Sequence, residues 1–185
     1  DERVIAIYTQ TVKLSIFKKD ADGNVVEKKK DYWKLAPRVW QNVNPHWNYS
    51  EGEKIIVEIY SNCDEIELFQ NGKSLGKQSL KDQEDRIFKW ATDYSKGKLT
   101  AVGTYKGKKV KETLETVDEA YSIKLVPDRK MMAANNTDVL HVVAQLVDKK
   151  GREVKNVDDE IKFTISGDYR FLGTDCGKTE KMDSF

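Results

Sequence analysis

Carboxylates are the first candidates for catalytic groups in this chain, because 31 of its 185 residues are Asp or Glu. Hydrolysis of a glycosidic bond needs two carboxyl groups held at a fixed separation across that bond. Glu65 and Glu67 share one face of a predicted strand, among lysines, which is typical of a solvated surface. The sequence has no Gly-x-Ser-x-Gly, His-Glu-x-x-His or phosphate-binding glycine motif. We therefore predict no catalytic residue in this chain.

A possible metal loop lies near the start of the sequence. Asp20, Asp22 and Asn24 resemble the first ligands of a calcium loop. The helix–loop–helix site also needs Gly at its sixth position and Glu at its twelfth, where this chain has Val25 and Asp31. A hairpin turn is the simpler interpretation. The two histidines and the two cysteines are each far apart, so we predict no metal site and no cofactor.

Aromatic residues give the best indication of binding. Trp33, Trp40 and Tyr49 lie in or beside predicted loops, where an amphipathic ring can stack on a sugar or pack at a domain interface. Two alternatives stay open for them: packing inside the protein or between domains, and contact with carbohydrate. Trp90 alternates with Phe88 along one strand face, which favours a place in the core.

The elements that must position these side chains are β-strands. Apolar residues alternate with polar ones between closely spaced turns, as at Ile55, Val57 and Ile59. The pair Asn71-Gly72 between two such runs is a strong hairpin signal. We expect an all-β chain with six or seven short strands in a β-sandwich at residues 37–118. Residues 1–36 would be strands or a loop leading into it.

A second set of alternating residues follows residue 118. Ile123 and Leu125, a run around residues 140–146, and residues 161–165 each predict a strand with one buried face. Four or five strands are fewer than an immunoglobulin-like sandwich needs. We therefore expect residues 119–185 to form a second immunoglobulin-like β-sandwich that is incomplete at its C-terminus. Its exposed edge would allow self-association through strand pairing.

Charge gives little indication of a partner. Lys and Arg total 32 against 31 acidic residues, which leaves a net charge of +1. This balance does not favour binding to nucleic acid or to an anionic membrane.

Two stretches of the sequence resemble known modules. Residues 45–49 (Pro-His-Trp-Asn-Tyr), 51–53 and 57–76 resemble the module that follows the catalytic barrel in glycoside hydrolase family 2, in the β-galactosidase branch of Bacteroides-type bacteria. Runs within residues 123–129, 147–152 and 166–173 resemble the next, immunoglobulin-like module of those enzymes.

The resemblance implies a non-catalytic, C-terminal part of a periplasmic or extracellular carbohydrate hydrolase of the β-galactosidase type. In that family the catalytic glutamates lie in a (β/α)8 barrel, and the acid/base glutamate follows an asparagine. This chain has no Asn-Glu dipeptide, so no catalytic residue is carried over. The barrel of the same polypeptide would be the partner. We assign His46, Trp47 and Asn48 to the barrel-facing contact.

Two other kinds of protein remain as alternatives. One is an independent carbohydrate-binding module that uses Trp33, Trp40 or Tyr49 as its platform. The other is a surface adhesin with immunoglobulin-like repeats, although the two halves of the sequence share little similarity.

Overall fold

The protein is described by a computed structural model that covers residues 4–12, 17–19, 21, 25–27 and 43–176. Within these residues no helix is long and apolar enough to cross a bilayer. The chain is all-β, as the sequence predicts. Its elements are the strands β1 (Ile5–Thr11), β2 (Phe17–Lys19), β3 (Val25–Glu27), β4 (Lys54–Ser61), β5 (Glu65–Gln70), β6 (Lys73–Ser79), β7 (Phe88–Asp93), β8 (Lys98–Tyr105), β9 (Lys108–Glu115), β10 (Ser122–Pro127) and β11 (Val142–Val147), with a 3-10 turn at Leu80–Asp82.

Two antiparallel sheets form the first module. One has the strand order β1-β4-β7 and the other has the order β6-β5-β8-β9. Their alternating apolar residues face each other, since side chains of one strand point alternately to the two faces. The core face predicted for Ile55, Val57 and Ile59 of β4 is confirmed, although Ile56 and Glu58 on the opposite face are buried too. The alternation of β5 and the core position of Trp90 are also confirmed. The shared core contains Ile5, Ile7, Trp47, Ile55, Val57, Ile59, Cys63, Ile66, Leu68, Phe88, Trp90, Tyr94, Leu99 and Ala101.

Two hairpins of the four-stranded sheet have turns of only two residues. Asn71 and Gly72, with φ of 51° and 81°, join β5 to β6, where Gln70 pairs with Lys73. Lys106-Gly107 joins β8 to β9 in the same way. Positive φ at both positions is the turn whose twist suits adjacent strands. The hairpin predicted at Asn71-Gly72 is confirmed.

The N-terminal part of the chain contributes directly to this sandwich. Strand β1 pairs with β4, with Ile5 opposite Ser61, and its Ile5 and Ile7 enter the core. The first sandwich therefore begins well before residue 37, the boundary expected from the sequence. Strands β2 and β3 pair antiparallel with each other, and the turn predicted between them lies outside the described residues apart from residue 21.

The second module is a two-stranded antiparallel sheet of β10 and β11 in the described residues. Ile123 and Leu125 are 51% and 61% exposed, so the buried face predicted for this strand is wrong. Two strands form one layer, and an apolar face is buried only when a second layer covers it. The strand predicted at residues 161–165 is also wrong, because those residues have no regular secondary structure. A second sandwich, its incompleteness and its self-association stay predictions.

Candidate functional site

The described polar groups are most densely connected at the junction between the two modules, after β9 ends. The linker between the modules is residues 116–121. Asn48, in the loop before β4, contacts this linker with its side-chain amide. Its Nδ2 donates to the carbonyl of Val117 at 2.8 Å, and its Oδ1 accepts from the N–H of Val117 at 3.0 Å. The loop and the linker are thereby joined as two neighbouring strands would be.

Asp148 lies in the turn after β11 and is 2% exposed. Its carboxylate accepts hydrogen bonds from the backbone N–H groups of Lys150 at 2.8 Å, Arg152 at 3.0 Å and Asp118 at 3.2 Å. Burial alone would raise the pKa of this carboxyl, but the hydrogen bonds from Arg152 and from these N–H groups outweigh it. They hold the pKa well below its ordinary value, so Asp148 is ionised at neutral pH.

Arg152 connects this buried carboxylate to the first module. Its Nε donates to Asp148 at 2.8 Å, and its Nη1 donates to Glu115 and to the carbonyl of Thr116, both at 3.0 Å. Its Nη2 donates to Asp118 at 3.0 Å. We call Glu115, Asp118, Asp148 and Arg152 the junction clasp. The planar guanidinium of Arg152 thus has charged hydrogen-bond partners in both modules and links them.

Trp47 lies in the core of the first sandwich and not on the predicted barrel-facing surface. The prediction that it contacts a barrel is wrong, because its side chain is fully buried in the core of its own sandwich. Its indole Nε1 donates to the carbonyl of Ser95 at 3.2 Å, and its ring lies 5.1 Å from that of Tyr94. Trp47 instead anchors the loop that carries its two neighbours.

Those neighbours, His46 and Asn48, are half-buried and line a cavity of about 230 Å³ with Glu115 and Arg152 of the clasp. Nδ1 of His46 accepts from the backbone N–H of Asn48 at 3.2 Å. Burial lowers the pKa of His46, which favours the neutral imidazole that this acceptor role requires. Both residues therefore lie beside the junction, and each keeps a part that is open to solvent.

Tyr49 makes a hydrogen bond and ring contacts within its own module. Its hydroxyl lies 2.6 Å from Oγ1 of Thr9, and its ring lies 4.9 Å from that of His46 and 5.9 Å from that of Tyr94. The ring is half-buried, so these contacts occupy only part of its surface, and its assignment to carbohydrate contact stays a prediction. Trp33 and Trp40 lie outside the described residues, so their assignments stay predictions.

Buried carboxylates are the functional groups that the sequence did not reveal. Acidic side chains were expected on exposed faces or in turns, yet Glu58 of β4 is fully buried. Its two oxygens accept from Nε2 of Gln10 at 2.8 Å and from the hydroxyl of Tyr60 at 3.1 Å. Burial raises the pKa of Glu58. Burial and the neighbouring Glu58 raise the pKa of Tyr60 to about 12.

Glu58 and Asp148 lie in different modules, and both have their oxygens engaged. Glu65 is exposed as predicted and pairs with Lys77. Glu67 accepts from the Ser74 hydroxyl at 2.7 Å. Each of these four carboxylates is thus engaged by a hydrogen bond or an ion pair.

A turn at residues 149–151 is predicted by the sequence, and Gly151 has the expected positive φ of 77°. Asp148 directly before it is a usual acceptor in such a turn. Nothing in the local sequence identifies the partners of Arg152, because Glu115 and Thr116 are 37 and 36 residues away.

Two family models match the two modules. Residues 52–111 match a domain of unknown function, DUF4982, and residues 123–185 match glycoside hydrolase family 2 C-terminal domain 5. The chain is 31% identical over 163 residues to a β-galactosidase of Bacteroides ovatus, covering 84% of this chain and 19% of that protein. It is 30% identical over 142 residues to a β-glucuronidase of Formosa agariphila, covering 75% of this chain and 14% of that protein.

Solved structures give the same result. A glycosyl hydrolase family 2 member from Bacteroides cellulosilyticus aligns with a TM-score of 0.59 at 30% identity, over 80% of this chain and 18% of that one. A β-glycosidase from Bacteroides vulgatus aligns with a TM-score of 0.53 at 33% identity, over 60% of this chain and 14% of that one. The chain thus spans less than a fifth of the length of these similar proteins.

Proposed function

The chain belongs to the C-terminal modules of glycoside hydrolase family 2, and from that premise we propose that it is a non-catalytic support for the catalytic barrel of a longer polypeptide. The observation that carries this proposal is that both buried carboxylates of the described residues are engaged by other groups of the chain. Glu58 is engaged within the first sandwich and Asp148 within the junction clasp. Glycoside hydrolysis instead needs two carboxyl groups that face a common substrate.

The longer polypeptide is, in this proposal, a hydrolase of the β-galactosidase type that acts in carbohydrate metabolism at a periplasmic or extracellular site. Support comes from the β-galactosidase of Bacteroides ovatus, with which 84% of this chain aligns at 31% identity. Within the chain, the contact with the barrel uses the solvent-facing part of His46 and Asn48. Trp47 supports both from the core.

The clasp makes this support rigid. Arg152 joins the buried Asp148 of the second module to Glu115 and Thr116 of the first. Two modules held in one orientation present a continuous surface to a partner domain, whereas a flexible pair would lose entropy on docking.

Two measurements test the proposal. The purified chain should show no turnover of chromogenic galactosides or glucuronides above buffer. Activity that survives purification and disappears in Glu58→Gln would overturn the non-catalytic role. In the full-length polypeptide that contains this chain, Arg152→Ala should lower the melting temperature of the barrel transition, while kcat measured at low temperature stays unchanged. An unaltered barrel transition would contradict the supporting role.

A further inference from the structure

A groove lies between the two modules, beside the junction clasp. It has a volume of about 720 Å³, within the range of about 300–1,000 Å³ typical of small-molecule sites, which often lie at domain interfaces. Lys96 and Asp118 line it from the first module and the linker, and Tyr121, Lys149 and Asn156 from the second. We propose that this groove binds a neutral sugar, with the ring of Tyr121 as its platform.

Tyr121 has the exposure that such a platform requires. The residue is 68% exposed, although its backbone N–H donates to the carbonyl of Val147 at 2.8 Å. The ammonium of Lys149 lies 5.4 Å from the ring centroid, close enough to hold the ring by a cation–π contact. An exposed but positioned aromatic ring can stack on the C–H face of a sugar at little entropic cost.

The charge of the groove favours a neutral ligand with many hydroxyl groups. Its cationic lysines, Lys96 and Lys149, are matched by the two carboxylates of Asp118 and Glu119. Lys96 lies 3.7 Å from Asp118, which already neutralises part of this charge. The lining therefore offers donors and acceptors, together with the amide of Asn156, without an excess of either charge. A hexose supplies both kinds of group, whereas an ion would find no net attraction.

The two walls of the groove belong to different modules, so its shape depends on their orientation. The junction clasp fixes that orientation, and Asp118 belongs both to the clasp and to the groove. The groove is thus formed before a ligand arrives, which lowers the cost of binding.

The test is a titration of the intact, isotope-labelled chain with methyl β-galactoside, lactose and glucuronate, followed by amide NMR shifts. We expect saturable shifts at Tyr121, Lys149 and Asn156 with the two neutral probes at millimolar concentrations. Tyr121→Ala should weaken binding at least tenfold, and Tyr121→Phe should keep it. Tyr169→Ala is the matched control, because Tyr169 is also exposed but does not line the groove.

Three results would overturn the proposal: no saturable shift with any neutral probe, unchanged affinity in Tyr121→Ala, or tighter binding of glucuronate than of the galactoside. Unperturbed amide shifts of Glu115 and Arg152 in Tyr121→Ala would show that the groove itself is intact. The outcome is independent of the supporting role, which is read from the stability of the barrel and not from binding of free sugar.

Discussion

The side-chain amide of Asn48 satisfies both backbone groups of Val117, a residue 69 positions further along the chain. It donates to one and accepts from the other, as a neighbouring strand would do. This pair closes the first sandwich at the point where the linker leaves it. The loop that precedes β4 and the segment that follows β9 are thereby tied together.

Replacing Asn48 by Ala should leave the N–H and the carbonyl of Val117 without their protein partner. A lost pair of this kind costs about 1–3 kcal/mol, which urea denaturation of the chain can measure. Asn48→Asp keeps the acceptor but places a carboxylate oxygen against the carbonyl of Val117, so we expect a loss at least as large as in Asn48→Ala. Cleavage by a protease near residues 117–121 should accelerate in the same order. A change within about 0.5 kcal/mol for Asn48→Ala, the range of ordinary surface substitutions, would contradict this role.

The junction clasp should open in acid. The pKa of Asp148 is held below its ordinary value of 3.8, so its contribution to stability is present above that value. The contribution is lost as the pH falls further, towards the depressed pKa of the folded protein. We expect the two modules to keep one orientation at pH 5 and to become mobile well below pH 4. Residual dipolar couplings measured across this range report the change.

Arg152→Ala should give the mobile state already at neutral pH, because it removes the side chain that links Asp148 to Glu115. Arg152→Lys should restore the single orientation of the two modules only partly, since an ammonium cannot reproduce a planar, forked set of donors. The matched control is Arg129→Ala, which removes an exposed arginine of the second module that pairs with Asp128 and Asp138. Equal couplings in Arg152→Ala and the wild type would disprove the clasp.

Local pattern was sufficient to predict much of the first sandwich. Ile55, Val57 and Ile59 alternate along β4 and are all fully buried. The two-residue turn at Asn71-Gly72 requires positive φ at both positions, a property that residue type alone indicates. Such features depend on neighbours in sequence and are readable without the fold.

Features that depend on distant partners were not predictable. Ile123 has the same alternation as Ile55 but is 51% exposed, because burial needs a second layer as well as a pattern. Glu58 is buried because Gln10 and Tyr60 satisfy it. Trp47 was assigned to an interface from its place at the entry of the module, whereas the aromatic cluster around it gives it a core position.

Gly97 should not tolerate a side chain, because its φ is 138° and a β-carbon there would overlap Oδ1 of Asn71. That oxygen is held in place, since it accepts from the N–H of Lys98 at 2.7 Å while Nδ2 donates to the carbonyl of Lys96 at 3.0 Å. We expect Gly97→Ala to cost about 2–4 kcal/mol in thermal or urea unfolding.

The control is Gly107→Ala, where no heavy atom lies within 4 Å of the added carbon. Its φ of 76° is closer to the left-handed region than the φ of 138° at Gly97, so it carries less backbone strain. Backbone strain alone should cost it about 1–2 kcal/mol. Asn71→Ala should relieve part of the loss in Gly97→Ala when the two are combined. Equal losses for the two glycine variants would show that strain, and not the contact with Asn71, determines the effect.

Glu58 should give the first sandwich a pH dependence opposite in sign to that of the clasp. Burial raises the pKa of this carboxyl above its ordinary value of 4.5, so the folded state binds its proton more tightly than the unfolded state does. The free energy of unfolding should therefore fall as the pH rises from 4.5 through the pKa of the folded state, and then level off.

Glu58→Gln removes the ionisable group, and its amide can still bond to Gln10 and Tyr60 once these partners reorient. We expect this variant to lose the fall in unfolding free energy above pH 4.5 and to be at least as stable as the wild type at pH 8. Glu58→Ala should instead be less stable by about 2–4 kcal/mol at every pH, since it leaves a cavity and two unpaired polar groups. Urea denaturation at a series of pH values measures both, and a pH profile for Glu58→Gln that matches the wild type would show that other groups cause the dependence.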